Sequence, residues 1–221
     1  IYIPLGIFAA IVLAFNIFQP ITVLPRVGLS PGYAFKNQDE EQITSEDFRG
    51  KLTLYSFSYT NCEENCPQSL DNIASVHEVL QQNVPANVDL ALVTISLDPE
   101  RDTTEKLNTV MSKYAINNET DTVPWHLLVG EPLKTKYAVG GGFNLYYNPQ
   151  EHDAADSYQI TFQPRYVLVD GWGIIRSKYG VSIPTTELLL RDINLISEEI
   201  ENSEGAAKLA YEAAHLFLCY P

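Results

Sequence analysis

Apolar and polar residues divide the chain into a charge-free first segment, an alternating body and a tail of small residues. The first segment, Ile1 to Pro25, contains no charged residue, and about 20 helical residues suffice to cross a hydrocarbon core. A signal peptide and a buried core helix are the alternatives. The apolar run of a signal peptide covers about 7–15 residues, whereas this run continues well beyond Ala9-Ala10. The pattern therefore predicts one N-terminal transmembrane helix over residues 1–25.

The charges that follow this segment indicate on which side of the membrane the rest of the chain lies. Arg26 is the single basic residue directly after the segment, and the next stretch is acidic on balance. Cytoplasmic flanks of membrane spans are usually enriched in Lys and Arg. We therefore expect the body on the periplasmic or an equivalent extracytoplasmic side.

The body, residues 34–200, alternates short apolar strands with amphipathic helices, and residues 26–33 form a linker before it. Apolar runs predict strands and periodic apolar positions predict helices, in the order strand Leu52–Tyr59, helix Pro67–Val84, strand Val88–Leu97, helix Asp102–Tyr114, strand Trp125–Val129, helix Pro132–Ala138, a hairpin of Tyr166–Val169 and Ile174–Lys178, and helix Ser182–Asn202. Asp102 and Glu105 form the capping-box pattern that opens the second helix. This order predicts an α/β fold, a thioredoxin-like mixed sheet with flanking helices.

Residues 201–221 form a tail beyond this domain. Apolar and small residues recur through Gly205–Pro221, which predicts a helix too short to span a bilayer. Such a helix must bury its apolar face on its own domain, on a partner or at the membrane surface. We favour a partner or the membrane surface.

Composition and charge exclude several classes of function. The 221 residues carry 14 Lys and Arg against 28 Asp and Glu, a formal net charge of −14. Nucleic acid binding needs cations that neutralise phosphates, so this balance argues against it. The sequence contains no Gly-rich phosphate loop or dinucleotide fingerprint, so we expect no nucleotide chemistry. Three cysteines are too few for a disulfide scaffold.

Two of these cysteines, Cys62 and Cys66, stand four residues apart between the first predicted strand and the first long helix. This spacing brings the sulfurs within bridging range, either as two soft metal ligands or as a disulfide. A helix N-terminus, with Pro67 in its first position, would lower the pKa of the Cys66 thiol. Glu63 and Glu64 disfavour thiolates but favour a bound cation. We expect this turn to face solvent, which favours reactive cysteines over two inert core cysteines.

The segment from Thr60 to Pro67, TNCEENCP, resembles the TxCxxxCP signature of the Sco/SenC proteins. These are membrane-anchored, thioredoxin-fold copper chaperones for cytochrome c oxidase. Further similarities to the family follow in the same order, in Asp47–Lys51 (DFRGK), Ile95–Thr103 (ISLDPERDT), Trp125–Gly130 (WHLLVG) and Gly140–Tyr146 (GGGFNLY). The resemblance covers about residues 32–198. It implies that Cys62 and Cys66 bind Cu(I), or cycle between dithiol and disulfide.

One position departs from the family pattern. The resemblance implies a His as third copper ligand just before the last strand, and that place falls at Phe162, or at Thr161 if the loop differs by one residue. Neither side chain binds copper as imidazole does. His152, in a polar loop upstream, is the candidate substitute ligand.

The remaining histidines are predicted to have structural roles. His77 is expected to be packed or solvated within a helix, and His126 lies in a strand. His215 and Cys219 form a second pair at helical spacing, for which a docking contact is favoured over a metal site. Pro164 precedes a strand where thioredoxin-like oxidoreductases carry a cis-proline. A cis-Pro164 would favour thiol exchange over copper binding.

The resemblance leads to three functional hypotheses. The first is handling of Cu(I), thiol–disulfide exchange or both, in the assembly of a respiratory oxidase, with cytochrome c oxidase or another respiratory complex as partner. The second is a dedicated thiol–disulfide reductase. The third is a non-catalytic accessory subunit of a respiratory membrane complex, for example a quinol-oxidising alternative complex III, that has lost the copper site. We favour the first, which makes the protein a metallochaperone more than an enzyme.

Overall fold

A mixed β-sheet forms the centre of the computed structural model, which describes residues 3–7, 10, 13, 21–62, 66–150, 159–203 and 205–217, with the backbone alone at 149–150, 205–207 and 216–217. The strands in these residues are β1 (Gly28–Leu29), β2 (Ala34–Lys36), β3 (Gln42–Thr44), β4 (Leu52–Ser58), β5 (Leu90–Ser96), β6 (Trp125–Leu128), β7 (Tyr147–Gln150), β8 (Gln159–Phe162), β9 (Tyr166–Val169) and β10 (Ile174–Tyr179). The main sheet has the order β1-β10-β9-β4-β5-β6. β4, β5 and β6 are parallel, whereas β9, β10 and β1 pair antiparallel. β2–β3 and β7–β8 form separate hairpins.

Side-chain alternation along the central strands gives the sheet two apolar faces. On β4, Tyr55 and Phe57 belong to one buried cluster, whereas Leu52 and Leu54 belong to the other. The same alternation holds on β5. Both strands are buried along their whole length, as their continuous apolar runs predict.

The helices divide between these two faces. In chain order they are α1 (Leu70–Asn83), α2 (Thr104–Lys113), α3 (Pro132–Thr135), a π-helix over Lys136–Gly142, α4 (Thr186–Glu201) and α5 (Gly205–Phe217), with a 3₁₀ turn at Ser45–Phe48. Apolar residues of α1, α2 and α4 pack on the face that contains Leu52 and Leu54. The π-helix and residues of β2 and β8 cover the opposite face, so both sides of the sheet are shielded from water.

The order of the predicted strands and helices is confirmed, with corrections where helices begin, but β1 and the hairpins β2–β3 and β7–β8 were not predicted. α1 begins at Leu70 rather than at Pro67, because the Ser69 hydroxyl caps its first turn. α2 is capped by Thr103 rather than by Asp102. α4 begins several residues later than predicted and is capped by Thr185. In each case a Ser or Thr closer to the apolar positions caps the helix.

The N-terminal region contributes directly to the sheet. Within the predicted linker 26–33, β1 pairs with β10 at Gly28↔Ile175 and Leu29↔Ile174. Residues 3–7, 10 and 13 are helical and exposed, while the other positions up to residue 20 lie outside the described residues. In the part of the chain that the structure describes, no helix combines the length and the apolar character needed to cross a membrane. The transmembrane helix stays a prediction for residues 1–20. Its predicted end at Pro25 is wrong, because residues 21–25 are not helical and Val23 and Leu24 are buried in the domain.

Helix α5 contacts its own domain. Ala214 is fully buried, Glu212 pairs with Arg26 at 3.0 Å, and His215 Nε2 lies 2.9 Å from Glu199 Oε1. The preference for a partner or the membrane surface is therefore wrong for this face of the helix. Cys219, the predicted pair of His215, lies outside the described residues.

Arg176 joins these contacts into a charged network, which we define as Arg26, Asp170, Arg176, Glu199, Glu212 and His215. The Arg176 guanidinium is 2% exposed and donates to Asp170 at 3.1 Å and to Glu199 at 2.6 Å. It also donates to the Leu24 carbonyl at 2.8 Å. Burial raises the pKa of Glu199, but hydrogen bonding and the charge of Arg176 outweigh burial, so its pKa is lowered overall. The network therefore holds the N-terminal segment, β10, α4 and α5 together.

Candidate thiol site

Both cysteines of the predicted site lie in the loop between β4 and α1. Cys62 and Cys66 form a disulfide, with their Cα atoms 5.2 Å apart. Cys62 is 7% exposed, whereas Cys66 is half-buried. The prediction of a solvent-facing turn is therefore wrong for Cys62, because its sulfur points into the fold, 3.3 Å from the Gln68 carbonyl oxygen. Residues 63–65 lie outside the described residues.

Aromatic side chains adjoin the disulfide. Cys62 belongs to the buried cluster that contains Tyr59 and Phe162, and Cys66 packs against that cluster. The Tyr59 and Phe162 rings meet edge-to-face with centroids 6.4 Å apart. The Tyr59 hydroxyl accepts a hydrogen bond from the Ile160 backbone N–H at 3.3 Å, which fixes β8 beside the loop. Phe162, at the position that the resemblance assigns to a third copper ligand, is thus a packing residue.

A buried carboxylate holds the start of the cysteine loop. Asp102 accepts hydrogen bonds from the Thr60 backbone N–H at 3.1 Å, the Thr60 hydroxyl at 2.5 Å and the Ser96 hydroxyl at 2.5 Å. Burial raises the pKa of Asp102, and the hydrogen bonds from Ser96 and Thr60 oppose part of that rise. This contact could have been predicted from two consecutive buried strands, because parallel pairing of β4 and β5 brings the segments after both strands to one edge of the sheet.

The environment of Cys66 differs from the one predicted. α1 begins four residues after Cys66, and the effect of a helix dipole falls off within one turn, so the expected lowering of its pKa by the helix loses its basis. Pro67 lies outside the helix, and its carbonyl accepts a hydrogen bond from the Ser182 hydroxyl at 2.5 Å. The peptide bond before Pro164 is trans, so the hypothesis of a cis-proline site is wrong.

The described histidines have contacts elsewhere in the fold. His77 Nε2 lies 2.8 Å from the Val123 carbonyl oxygen, and His126 meets Phe48 edge-to-face, so the structural roles predicted for both are confirmed. Burial lowers the pKa of both imidazoles. Within the described ranges, no group of three or more His, Cys, Asp or Glu side chains is placed to hold a metal ion. His152 falls in 151–158, outside the described residues, and stays a prediction.

Comparison with known proteins places this geometry in a family. The SCO1/SenC family model matches residues 25–197. An SCO2-like protein of Rickettsia prowazekii is 28% identical over 176 residues, 79% of this chain and 78% of that protein. Arabidopsis thaliana ScoI, solved with copper bound, has a TM-score of 0.62 at 23% identity over 77% of this chain and 99% of its own.

A second solved structure is BsSco, described as a Sco-family cytochrome c oxidase assembly protein with a disulfide switch. Its TM-score is 0.63 at 21% identity, over 80% of this chain and 98% of its own. At this level of identity, both structural likenesses support the mixed α/β, thioredoxin-like Sco fold. Because the family match covers most of the body, including both cysteines, the chain belongs to the SCO1/SenC family.

Proposed function

We propose that this protein is a membrane-anchored Sco protein that handles Cu(I), and exchanges thiols and disulfides, through Cys62 and Cys66 during assembly of a respiratory oxidase. The observation that carries the proposal is the Cys62–Cys66 disulfide at the carboxyl end of β4. Copper in ScoI and the disulfide switch of BsSco support the same two chemistries in relatives of this fold.

Thiol–disulfide exchange assigns a different role to each cysteine. In the reduced protein, Cys66 is the more accessible sulfur, so its thiolate attacks a disulfide of the partner and expels one partner thiolate. The buried Cys62 thiolate then attacks the Cys66 sulfur and expels the second partner thiolate. The two protons of the original thiols pass to the expelled thiolates. The partner gains two electrons and the Cys62–Cys66 disulfide forms, so a dithiol reductant must restore the starting state.

Copper enters as cargo once the disulfide is reduced. Two thiolates are soft donors that select Cu(I), whereas Cu(II) requires an additional nitrogen ligand. Phe162 offers no nitrogen, which favours Cu(I) held by Cys62 and Cys66, with His152 proposed as an additional ligand. Transfer is then ligand exchange between these thiolates and those of an acceptor.

The membrane anchor is part of this proposal. The charge-free segment from Ile1 to Pro25 supports one transmembrane helix, and the acidic stretch after Arg26 supports a domain on the extracytoplasmic side. Deletion of residues 1–20 leaves the buried Leu24 and its carbonyl bond to Arg176 in place, and it is expected to release the protein from alkaline-washed membranes. Continued retention of the shortened chain would contradict the anchor.

A second candidate function rests on Phe162. Because this residue is buried in the aromatic cluster beside Cys62, the fold is maintained without the expected imidazole. That favours an accessory subunit of a respiratory membrane complex, with the disulfide as a structural bond. The two candidates differ in whether reduced Cys62 and Cys66 bind metal.

Copper stoichiometry combined with thiol counting tests the proposal. The reduced full chain is expected to bind about one Cu(I), because two thiolates suffice for a soft monovalent ion. Cys62→Ser should lose that copper, and Cys219→Ser should retain it as the matched control. A wild-type protein that binds no copper, with a disulfide that resists reduction, would establish the accessory-subunit function instead.

Phe162→His provides the complementary gain-of-function variant. An imidazole at this position would complete a ligand set of two sulfurs and one nitrogen, which accepts Cu(II). We expect a thiolate-to-Cu(II) absorption band in this variant and a much weaker one in wild type. Equal bands in both proteins would show that Phe162 does not occupy the ligand position.

A further inference from the structure

The surface next to the disulfide carries exposed apolar side chains in a segment that is bonded to the cysteine loop. The Ser182 hydroxyl donates to the Pro67 carbonyl at 2.5 Å, which places the turn between β10 and α4 against the residue after Cys66. On either side of Ser182, Val181 is 45% exposed and Ile183 is 51% exposed. Val181 and Ile183 are therefore chain neighbours of the residue that is bonded to the cysteine loop, and about half of each side chain remains exposed to water.

A cation lies on the same loop from another direction. The Arg165 backbone N–H donates to Gln68 Oε1 at 2.8 Å, and its guanidinium donates to the Asn144 carbonyl at 2.6 Å. Arg165 is half-buried, and its only hydrogen-bond partners in the described structure are neutral groups.

Among the described residues Arg165 has no carboxylate partner, which is unusual for an arginine of this chain. Acidic residues outnumber basic ones 28 to 14. Each of the other five arginines pairs with a carboxylate; these are Arg26, Arg49, Arg101, Arg176 and Arg191. Arg165, which is bonded to Gln68 at the end of the cysteine loop, is thus the one described arginine without a carboxylate partner among the described residues.

We propose that Val181, Ile183 and Arg165 form a docking surface for the cysteine-bearing segment of a partner protein, with Arg165 pairing a carboxylate close to the partner's cysteines. This inference rests on the proposed thiol chemistry, and it names the partner's recognition features. Thiol–disulfide exchange requires a sulfur of the partner to reach the Cys66 sulfur. The partner's chain must therefore contact the residues around Cys66. Apolar contact with Val181 and Ile183 holds the segment, and Arg165 orients it.

The docking surface carries a positive charge, Arg165, whereas the protein as a whole is negatively charged. A net charge of −14 repels acidic partners at a distance. A local cation selects an acidic segment only once that segment lies on the loop. Docking is therefore expected to change exchange rates for acidic segments and to leave small neutral reductants unaffected.

Two synthetic dithiol peptides test the proposal on the full chain in detergent. Both contain two cysteines and a leucine, and they differ in whether Asp or Lys flanks the cysteines. Each peptide reduces the Cys62–Cys66 disulfide and is itself oxidised to a disulfide, so the reaction balances as a two-electron exchange. The rate is followed by mass spectrometry of alkylated thiols.

Arg165→Gln should slow reduction by the Asp peptide about two- to five-fold, the range expected for one exposed ion pair, and leave the Lys peptide unchanged or faster. Lys51→Gln is the matched control, because it removes one charge at the opposite end of β4. Ile183→Ser should slow both peptides about three- to five-fold through lost apolar contact. Leu29→Ser, an exposed apolar residue on β1, should slow neither.

Reduction by dithiothreitol distinguishes failure of the docking surface from failure of the proposed thiol chemistry. If it reduces wild type and all variants alike, and only the peptide rates respond to Arg165→Gln and Ile183→Ser, docking is supported. Unchanged peptide rates in these variants would overturn the docking surface and leave the thiol chemistry intact. A wild-type disulfide that dithiothreitol does not reduce would overturn both.

Discussion

Strand β4 connects two sites that are stabilised in different ways. At its carboxyl end, the cysteine loop is closed by one covalent bond and adjoined by aromatic rings. At its amino end, Thr53 pairs with Val169, and Asp170 follows as a member of the charged network. The length of β4 separates the two ends by about 20 Å. One short strand therefore ends at a disulfide on one side and at a buried ion-pair network on the other.

The two ends of β4 differ in how much stability is lost when their bonds are broken. The disulfide closes a loop with a sequence separation of only 4, so opening it releases little chain entropy. The charged network buries an arginine and its carboxylates, and removal of one partner leaves an unpaired charge in a low-dielectric interior. Opening the disulfide is thus expected to cost less stability than breaking the charged network that joins the terminal segments to the domain.

The largest effect is expected from Arg176→Met. This variant should lower the free energy of unfolding by about 3–5 kcal/mol, because Asp170 and Glu199 lose their buried partner. Urea unfolding of the full chain in detergent measures it. Lys113→Met, at an exposed pair with Asp71, should change the same quantity by at most about 1 kcal/mol. Equal losses in the two variants would remove the distinction between the network and a surface ion pair.

Asp102→Asn should have the next largest effect, a loss of about 1.5–3 kcal/mol. The variant retains the volume but removes the charged acceptor of the Thr60 backbone N–H and hydroxyl. We also expect faster reduction of the disulfide by dithiothreitol, since the start of the loop is held less firmly. Thr60→Ser preserves both donors and is the control. An unchanged reduction rate in Asp102→Asn would show that this carboxylate does not hold the loop.

Replacing both Cys62 and Cys66 with Ser should lower the free energy of unfolding by about 2 kcal/mol, the loop-closure value for a ring of this size. Reduction of wild type should lower it by a similar amount. Combined with Arg176→Met, the losses should add to within about 0.5 kcal/mol, because the two sites lie at opposite ends of β4. Strong non-additivity would mean that the two ends are coupled.

The smallest effect is expected from Glu199→Gln, because Arg176 keeps its ion pair with Asp170, and this effect should depend on pH. Because the folded pKa of Glu199 is lowered, its ionised form stabilises the fold above the ordinary value of 4.5. That contribution is lost as the pH falls through the lowered folded pKa. The stability difference between wild type and variant should therefore be present at neutral pH and shrink in acid, as measured by urea unfolding.

Glu198→Gln is the neighbouring control for this comparison, since the charged network does not include Glu198. Its stability difference from wild type should be small at both pH values. A wild-type advantage over Glu199→Gln that grows in acid would reverse the predicted sign and contradict the assignment of Glu199 as the ionised partner of Arg176.

Local patterns in the sequence were sufficient for five of the six strands of the main sheet and for the thiol pair, whereas β1 lies in the predicted linker. β4 and β5 were predicted to within two residues at each end, because a continuous apolar run suffices to specify a buried strand. Cys62 and Cys66 were paired by their spacing, and the motifs around them identified the family that the comparisons confirm. Helix starts were less certain, because several Ser, Thr and Pro residues compete near each one.

By itself, the sequence determined the α/β order and the spacing of Cys62 and Cys66, and it has no histidine at Thr161 or Phe162. Only the tertiary structure decided that Asp102 holds Thr60 across 42 positions of the chain, and that Arg176 binds Glu199 across 23. It also decided that Arg165 bonds to Gln68 and Asn144, with no carboxylate partner among the described residues. The physical reason is the distance along the chain over which each interaction acts. Periodicity and capping act over a few residues, whereas ion pairs depend on which strand ends and helix faces the fold brings together.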